Sequence, residues 1–260
     1  MLLEYTLGRA LESAGVDGSL VLWALRYLAT GRSDAPICSF DGGLGELSTA
    51  LYEAHSASIS LETPVTGMER HPDGYALHTP ADTVVVDDVV LTTPAPTAAS
   101  LLESIDQDSA DRLSQLRYNP IALVYLESSF DDPGIGTLVP DGEPVPISGT
   151  TWNARILDRD SLFTCYLDPG SYPGLADAAD SELESAATEA FETLTGAPAS
   201  PIHVHRWQPG MPAYDGSWRA LDELALPDGI HLCTNFVARP GILGRIRHAG
   251  QIAATIEANR

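Results

Sequence analysis

Few side chains in this sequence have both the type and the spacing to do chemistry. His203 and His205 stand two apart in the run Ile202–Trp207. On a strand that spacing puts both imidazoles on one face, with Val204 and Arg206 on the other. Two nitrogen ligands without a third close by make a poor metal site, so the pair reads as surface histidines. Asp87-Asp88 and Asp131-Asp132 could serve as paired carboxylates for acid–base work, but in a chain this acidic they read as solvated. In Trp152-Asn153-Ala154-Arg155, the guanidinium could grip a substrate carboxylate through two parallel hydrogen bonds; the plainer reading is a surface arginine. The serines include no G-x-S-x-G elbow, which argues against a hydrolase. Cys38, Cys165 and Cys233 are scattered, odd in number and without a C-x-x-C, a pattern of buried thiols in a reducing cytoplasm.

Charge narrows the classes further. Of 260 residues, 14 are basic, all of them Arg, and 36 are acidic, giving 14 − 36 = −22. Such a surface repels nucleic-acid phosphate and anionic lipid. Acidic residues spread along the whole chain, with no Lys, point to adaptation to high salt, a halophilic protein. Hydrophobic residues make up 44%, enough for a large core in one domain or two. The longest apolar run, Ser19 to Ala29, is broken by Arg26 and falls short of a membrane span. Met1-Leu2-Leu3-Glu4 lacks the basic start of a secretory signal, so a cytoplasmic location is expected.

The elements that must position these residues are mixed. Two helical pieces are expected within residues 1–30, and a helix from Glu46 to Ala57. Strands follow at Ile59–Leu61, Val65–Arg70, Tyr75–Thr79, Val84–Val86 and Val89–Thr92, with a turn at Pro72-Asp73-Gly74. Helices are predicted over Thr97–Ser104 and Gln107–Arg117, then strands at Ile121–Glu127, Gly136–Val139 and Leu162–Leu167. An acidic start marks a helix from Asp180 to Leu194. Ile202–Trp207 reads as a strand, Gln208–Gly216 as a loop, Gly229–Asn235 as a strand and Ile242–Ala258 as a closing helix. The class is α/β, mixed α+β, without strict βαβ alternation.

The order of several short motifs is distinctive. Phe40–Leu47 reads F-D-G-G-L-G-E-L, and Asp87–Pro94 reads D-D-V-V-L-T-T-P. Tyr118–Leu126 reads Y-N-P-I-A-L-V-Y-L, and Val204–Tyr214 reads V-H-R-W-Q-P-G-M-P-A-Y. The chain ends through G-I-H-L-C-T-N-F, Gly229–Phe236, with Gly241 nine residues before Gly250. This series resembles the C-terminal two-thirds of the flavin-dependent amine oxidase superfamily, and within it the protoporphyrinogen oxidases and carotenoid desaturases.

The resemblance implies a partial FAD-binding domain interleaved with a substrate domain: residues 1–35 and 97–225 for substrate, 36–96 and 226–260 for FAD. It assigns to the cofactor Gly42 and Gly43, Val65 through its backbone, Thr93 and Pro94 at a strand end, Trp207 at the isoalloxazine edge, and Asn235, Gly241 and Ile242 at the closing corner. There, unpaired N–H groups and a positive dipole end favour a bound anion. Small Ala249, Gly250, Ala253 and Ala254 would let the closing helix approach the sheet. Asn153, Arg155 and Tyr214 would face substrate. The implied activity is FAD-dependent oxidation of an apolar or tetrapyrrole substrate, with amine and carotenoid substrates as alternatives; no catalytic residue is named. Thr234 and Arg245 stand where family glycines are implied. The G-x-G-x-x-G turn that cradles the FAD pyrophosphate has no counterpart here. The expectation is therefore either a second chain carrying that half or a non-catalytic partial chain, with apolar faces left exposed.

Overall fold

The computed structural model describes residues 39–140, 142–237 and 241–259. The helices expected within residues 1–30, Cys38 and Pro240 lie outside them. In chain order the elements are α1 (Gly45–His55), β1 (Gly67–His71), β2 (Gly74–His78), β3 (Thr83–Val86), β4 (Val89–Leu91), α2 (Ala95–Leu102), α3 (Gln107–Ser114), β5 (Tyr118–Ser128), β6 (Gly136–Leu138), β7 (Gly149–Thr151), α4 (Asn153–Ile156), β8 (Leu162–Leu167), α5 (Asp180–Thr195), β9 (Ala199–Pro212), β10 (Ile230–Leu232) and α6 (Ile242–Ala258). Short 3₁₀ turns cover Ser56–Ser58 and Gly216–Leu221. The class is mixed α/β.

The chain divides into two compact units. The first takes, among the described residues, Thr49–Arg117, 212–237 and 241–259. Its antiparallel sheet β1-β2-β3 pairs Met68 with Leu77 and Ala76 with Val85. Among the described residues a second sheet consists of β4 and β10, in parallel, with Val89 opposite Ile230 and Leu91 opposite Leu232. Valine and leucine alternate inward there, Val89 and Leu91 buried and Val90 exposed. The pairing is extended by Val89 N–H donating to Gly229 at 2.8 Å and Cys233 N–H to Leu91 at 2.9 Å. His231 Nε2 lies 3.0 Å from Asp88 Oδ1, so this carboxylate is half-buried and paired rather than solvated. Helix α2 starts directly after β4 and buries Ala95, Ala98, Ala99 and Leu102, a single helical stripe.

The second unit takes residues 39–48 and Tyr118–Met211. Its five-stranded sheet has the order β6-β7-β8-β5-β9. Ala122, Val124 and Leu126 of β5 and Phe163, Cys165 and Leu167 of β8 point to one face. Against it α5 buries Leu183, Ala187, Ala190 and Phe191. Phe163 and Phe191 pack at 4.9 Å between ring centroids, with Phe130 edge-on to both. Arg206 ties β9 to the start of α5, donating to Asp180 at 2.8 and 2.9 Å and to the carbonyls of Leu175 and Ala178.

Four expectations are corrected. Ile59–Leu61 is not a strand: Leu61 and Glu62 form a turn, Glu62 has φ +54°, and Thr63 Oγ1 donates to the Leu61 carbonyl. β-branched residues gain from extension only where a neighbour covers them, and both Ile59 and Leu61 are exposed. The stretch from Gln208 is not all loop, because β9 runs on to Pro212. As an edge strand it tolerates proline without losing ladder bonds. A Cβ on Gly210 would sit 2.5 Å from the Asn119 carbonyl, so only glycine admits this approach to β5. The strand expected at Gly229–Asn235 spans only Ile230–Leu232. Finally, Ala249, Gly250, Ala253 and Ala254 do not meet a sheet; all four are exposed, and α6 has no buried residue. The helix turns Arg245, His248, Ile252 and Ile256 inward instead. α1 likewise buries nothing, and Leu44, Leu51, Leu243 and Ile246 stand in solvent.

Asp215 caps the 3₁₀ turn, its Oδ1 accepting from Ser217 N–H at 2.8 Å, and pairs with Arg117. These bonds, Ser217 first, hold its carboxyl below the ordinary 3.8. The lowered value means the carboxylate stabilises the fold above pH 3.8 and stops doing so as acid protonates it. Asp215→Ala should lower stability by about 1 kcal/mol at pH 7. The gap from the parent should shrink below pH 3.8, as urea unfolding at both pH values will show. Burial pushes the Cys165 thiol up to about 12, whereas Cys233 is half-buried. Under native conditions, iodoacetamide should therefore modify Cys233 well before Cys165, measured by peptide mass spectrometry.

Candidate functional site

In the first unit, chemistry collects at the carboxyl ends of β4 and β10. Parallel pairing sets the two chain exits side by side, and open parallel sheets bind ligands beyond such ends. β4 leads through Thr92 and Thr93 to Pro94, the N-cap of α2. β10 leads into a turn holding Thr234, Asn235 and Phe236. Thr234 is 2% exposed, yet its hydroxyl has no hydrogen-bond partner. The Thr93 hydroxyl is also buried and unpaired. A buried hydroxyl left unsatisfied costs about 1–3 kcal/mol, and one stands just past each of the two paired strands, where a polar ligand would satisfy it.

α6 begins at Gly241, whose φ of +91° disfavours any side chain although the space beside it is open. No acidic side chain occupies its first turn, so the leading N–H groups and the positive dipole end are uncompensated. Thr93, Pro94 and Asn235 are thus brought together at paired strand ends, with Gly241 and Ile242 in the same unit. Val65 also belongs to this unit, exposed and two residues ahead of β1, which is part of the other sheet. Tyr214 stacks on Trp218 at 5.3 Å.

In the second unit, the sheet face opposite α5 carries Leu123, Tyr125, Thr164, Tyr166 and Thr151, by register, together with His203, His205 and Trp207. Rings follow one another along it: Tyr125 to His203 at 6.2 Å, His203 to His205 at 6.4 Å, His205 to Trp207 at 4.5 Å. The histidines therefore serve an aromatic row, and among the described residues no third ligand joins them. Tyr166 and Thr151 share a hydroxyl hydrogen bond of 2.9 Å. Asn153, at the start of α4, is buried and donates from its amide nitrogen to the Thr164 hydroxyl at 2.7 Å. Trp207 is 52% exposed. The arrangement is a flat, half-covered, largely aromatic surface suited to an apolar ring system.

Arg155 lies elsewhere in this unit and already holds Asp131, through both its carbonyl and its carboxylate. Gly42 and Gly43 precede α1; Gly43 has φ +97°, which requires glycine, and donates to Phe40 at 2.9 Å. An open hollow of about 460 Å³ is lined by Ser39, Phe40, Asp41 and residues 155–159, Arg155 included, with Arg159 holding the Phe40 and Asp41 carbonyls. Sequence reasoning missed Tyr125 and Tyr166. The alternation of Ala122, Val124 and Leu126 with Leu123 and Tyr125 carried that signal.

The sequence pattern of the flavin-containing amine oxidoreductases matches residues 8–255, and the chain belongs to this family. Protoporphyrinogen oxidase 1 of spinach chloroplasts is 27% identical over 221 residues, covering 74% of this chain and 39% of that enzyme. The crystal structure of a protein assigned as a protoporphyrinogen oxidase, from Exiguobacterium sp. 255-15, superposes with a TM-score of 0.70 at 24% identity. It covers 85% of this chain and 52% of its own. Cyclohexylamine oxidase from Brevibacterium oxydans gives 0.66 at 18% identity, covering 84% and 53%. The chain thus spans about two fifths of the spinach enzyme and about half of these solved structures. No helix among the described residues is long and apolar enough to cross a membrane.

Family membership implies a flavin. The unpaired Thr93 and Thr234 hydroxyls and the acid-free start of α6 fit the polar, anionic part of such a group. Thr234→Val should raise the stability of the unliganded chain by about 1 kcal/mol, because it removes an unpaired buried hydroxyl. Thermal unfolding is the check; a lowered midpoint would mean that the hydroxyl is satisfied.

Proposed function

We propose that this chain forms part of an FAD-dependent oxidoreductase of the protoporphyrinogen-oxidase type, oxidising an apolar or tetrapyrrole substrate. The observation that carries the reading is the pair of unpaired buried hydroxyls at the carboxyl ends of the parallel strands, in a chain of a flavin family. Thr93, Pro94, Asn235, Gly241 and Ile242 would hold the nucleotide, with the Val65 backbone beside the adenine and Gly42 and Gly43 permitting close passage of the chain. When bound, the flavin accepts a hydride from the substrate. The protein's share is orientation and dryness. Tyr125, Tyr166 and Trp207 present ring faces to a flat substrate and displace water from it. The low identity to the spinach enzyme favours a tetrapyrrole over an amine only through kinship. The aromatic sheet face is consistent with either a tetrapyrrole or a carotenoid.

A second reading has its own support. α1 and α6 bury no residue, and Leu44, Leu51, Leu243 and Ile246 are exposed. Apolar faces of this kind mark association surfaces. In this reading the chain works with a polypeptide carrying the G-x-G-x-x-G turn, which supplies the rest of the FAD site, and is not catalytic alone.

Titrating the purified chain with FAD distinguishes these readings. Flavin absorbance that stays with the protein through gel filtration, followed by oxidation of protoporphyrinogen, supports the enzyme. Uptake without turnover supports the partner reading, and turnover of an amine in place of the porphyrinogen would move the substrate class. A colourless protein that takes up no FAD overturns the flavin function of this chain.

A further inference from the structure

The closing corner differs in charge from the rest of the molecule. No Asp or Glu occurs between Asp228 and Glu257, although the chain carries 36 of them. Arg239, Arg245 and Arg247 fall in that stretch. Arg245 stands in the first turn of α6, where the helix dipole disfavours a cation. It is half-buried there, with Nη1 donating to the Thr234 carbonyl at 2.7 Å. Among the described residues its guanidinium makes no other hydrogen bond or ion pair.

A guanidinium has five N–H donors in a planar fork, so most of this one's capacity is unspent. The residue that anchors it, Thr234, is 2% exposed and has an unpaired hydroxyl; Thr93 on the neighbouring strand end has another. A cation held at the positive end of a helix, on the backbone of a residue whose own hydroxyl is orphaned, is electrostatically unfavourable until an anion sits there. The complement of this set is a tetrahedral oxyanion of the phosphate type.

We propose that Arg245 is a phosphate-binding residue of this chain, gripping the pyrophosphate of the dinucleotide beside Thr93 and Thr234. The identity of the ligand rests on the flavin reading; the anion site does not. Arg245 occupies a position for which the sequence resemblance implies glycine, so the contact is one that this chain adds.

The test uses the full chain, Arg245→Gln and Arg245→Lys, titrated with FAD, ADP, riboflavin and inorganic pyrophosphate by calorimetry or flavin fluorescence. Arg245→Gln should weaken FAD and ADP about tenfold or more while leaving riboflavin, which has no phosphate, unchanged. It should also flatten the salt dependence of FAD binding. Arg245→Lys should recover part of the loss, as a point charge without the fork. A merely structural bond to the Thr234 carbonyl would shift the unfolding midpoint of the unliganded variants but leave the ratio of FAD to riboflavin affinity untouched; that result overturns the proposal. If the parent chain binds no flavin at all, the flavin reading fails on its own, and pyrophosphate decides. Uptake by the parent that is lost in Arg245→Gln upholds the anion site, and no uptake by the parent overturns it.

Discussion

Two strands of three residues each, Val89–Leu91 and Ile230–Leu232, run parallel, and the candidate cofactor site depends on that pairing. Parallel neighbours cannot be joined by a tight turn; their connection must cross over. Here the crossover contains Tyr118–Met211 of the second unit, so the chain exits at Thr93 and Thr234 come side by side although more than half of the chain lies between them. The pair is short, and its hold is reinforced at both ends: Asp88 with His231 and Gly229 with Val89 at the start, Leu91 with Cys233 at the exit. What leaves the exits is then aligned: a helix with proline at its N-cap on one side, a turn with a buried threonine on the other.

The two units divide the work by different physics. The first supplies polar groups left unsatisfied, hydroxyls and helix N–H groups whose natural complement is an anion. The second is a sheet with two unlike faces. Aliphatic and phenylalanine side chains seal one face under α5, and tyrosine, histidine and tryptophan rings furnish the other. Period-two alternation along β5 and β9 produces both faces from the same residues' neighbours. Arg206 shows the separation within one strand: it reaches into the carbonyls ahead of α5, while His205 and Trp207 on either side join the aromatic row.

Much of this was legible in advance. Strand β8 and helix α6 fall where their patterns place them, because β8 is a short, mostly buried run rich in apolar and aromatic residues and α6 follows a glycine. The β1–β2 turn was visible in Pro72-Asp73-Gly74, and α5 in its acidic start. Less visible were features that depend on a neighbour. Ile59–Leu61 has strand-like residues but nothing to pair with, and Gly210 looks like a loop glycine until the Asn119 carbonyl arrives beside it. The small residues of α6 suggest close packing, yet among the described residues nothing covers them.

For the site, the order of motifs pointed to Thr93, Pro94, Asn235 and Gly241, and spacing alone put His203 and His205 on one face. Residue types and their periods also determined the acidic surface, the buried Cys165 and the mixed class, since these follow from composition and local alternation. Only the tertiary structure decided that Thr93 and Thr234 follow paired strands with no partner for either hydroxyl, that Arg245 donates to the Thr234 carbonyl, and that Arg155 is occupied by Asp131. Whether a polar atom is satisfied depends on what stands within about 3 Å of it, and that is set by long-range folding, which local sequence does not encode.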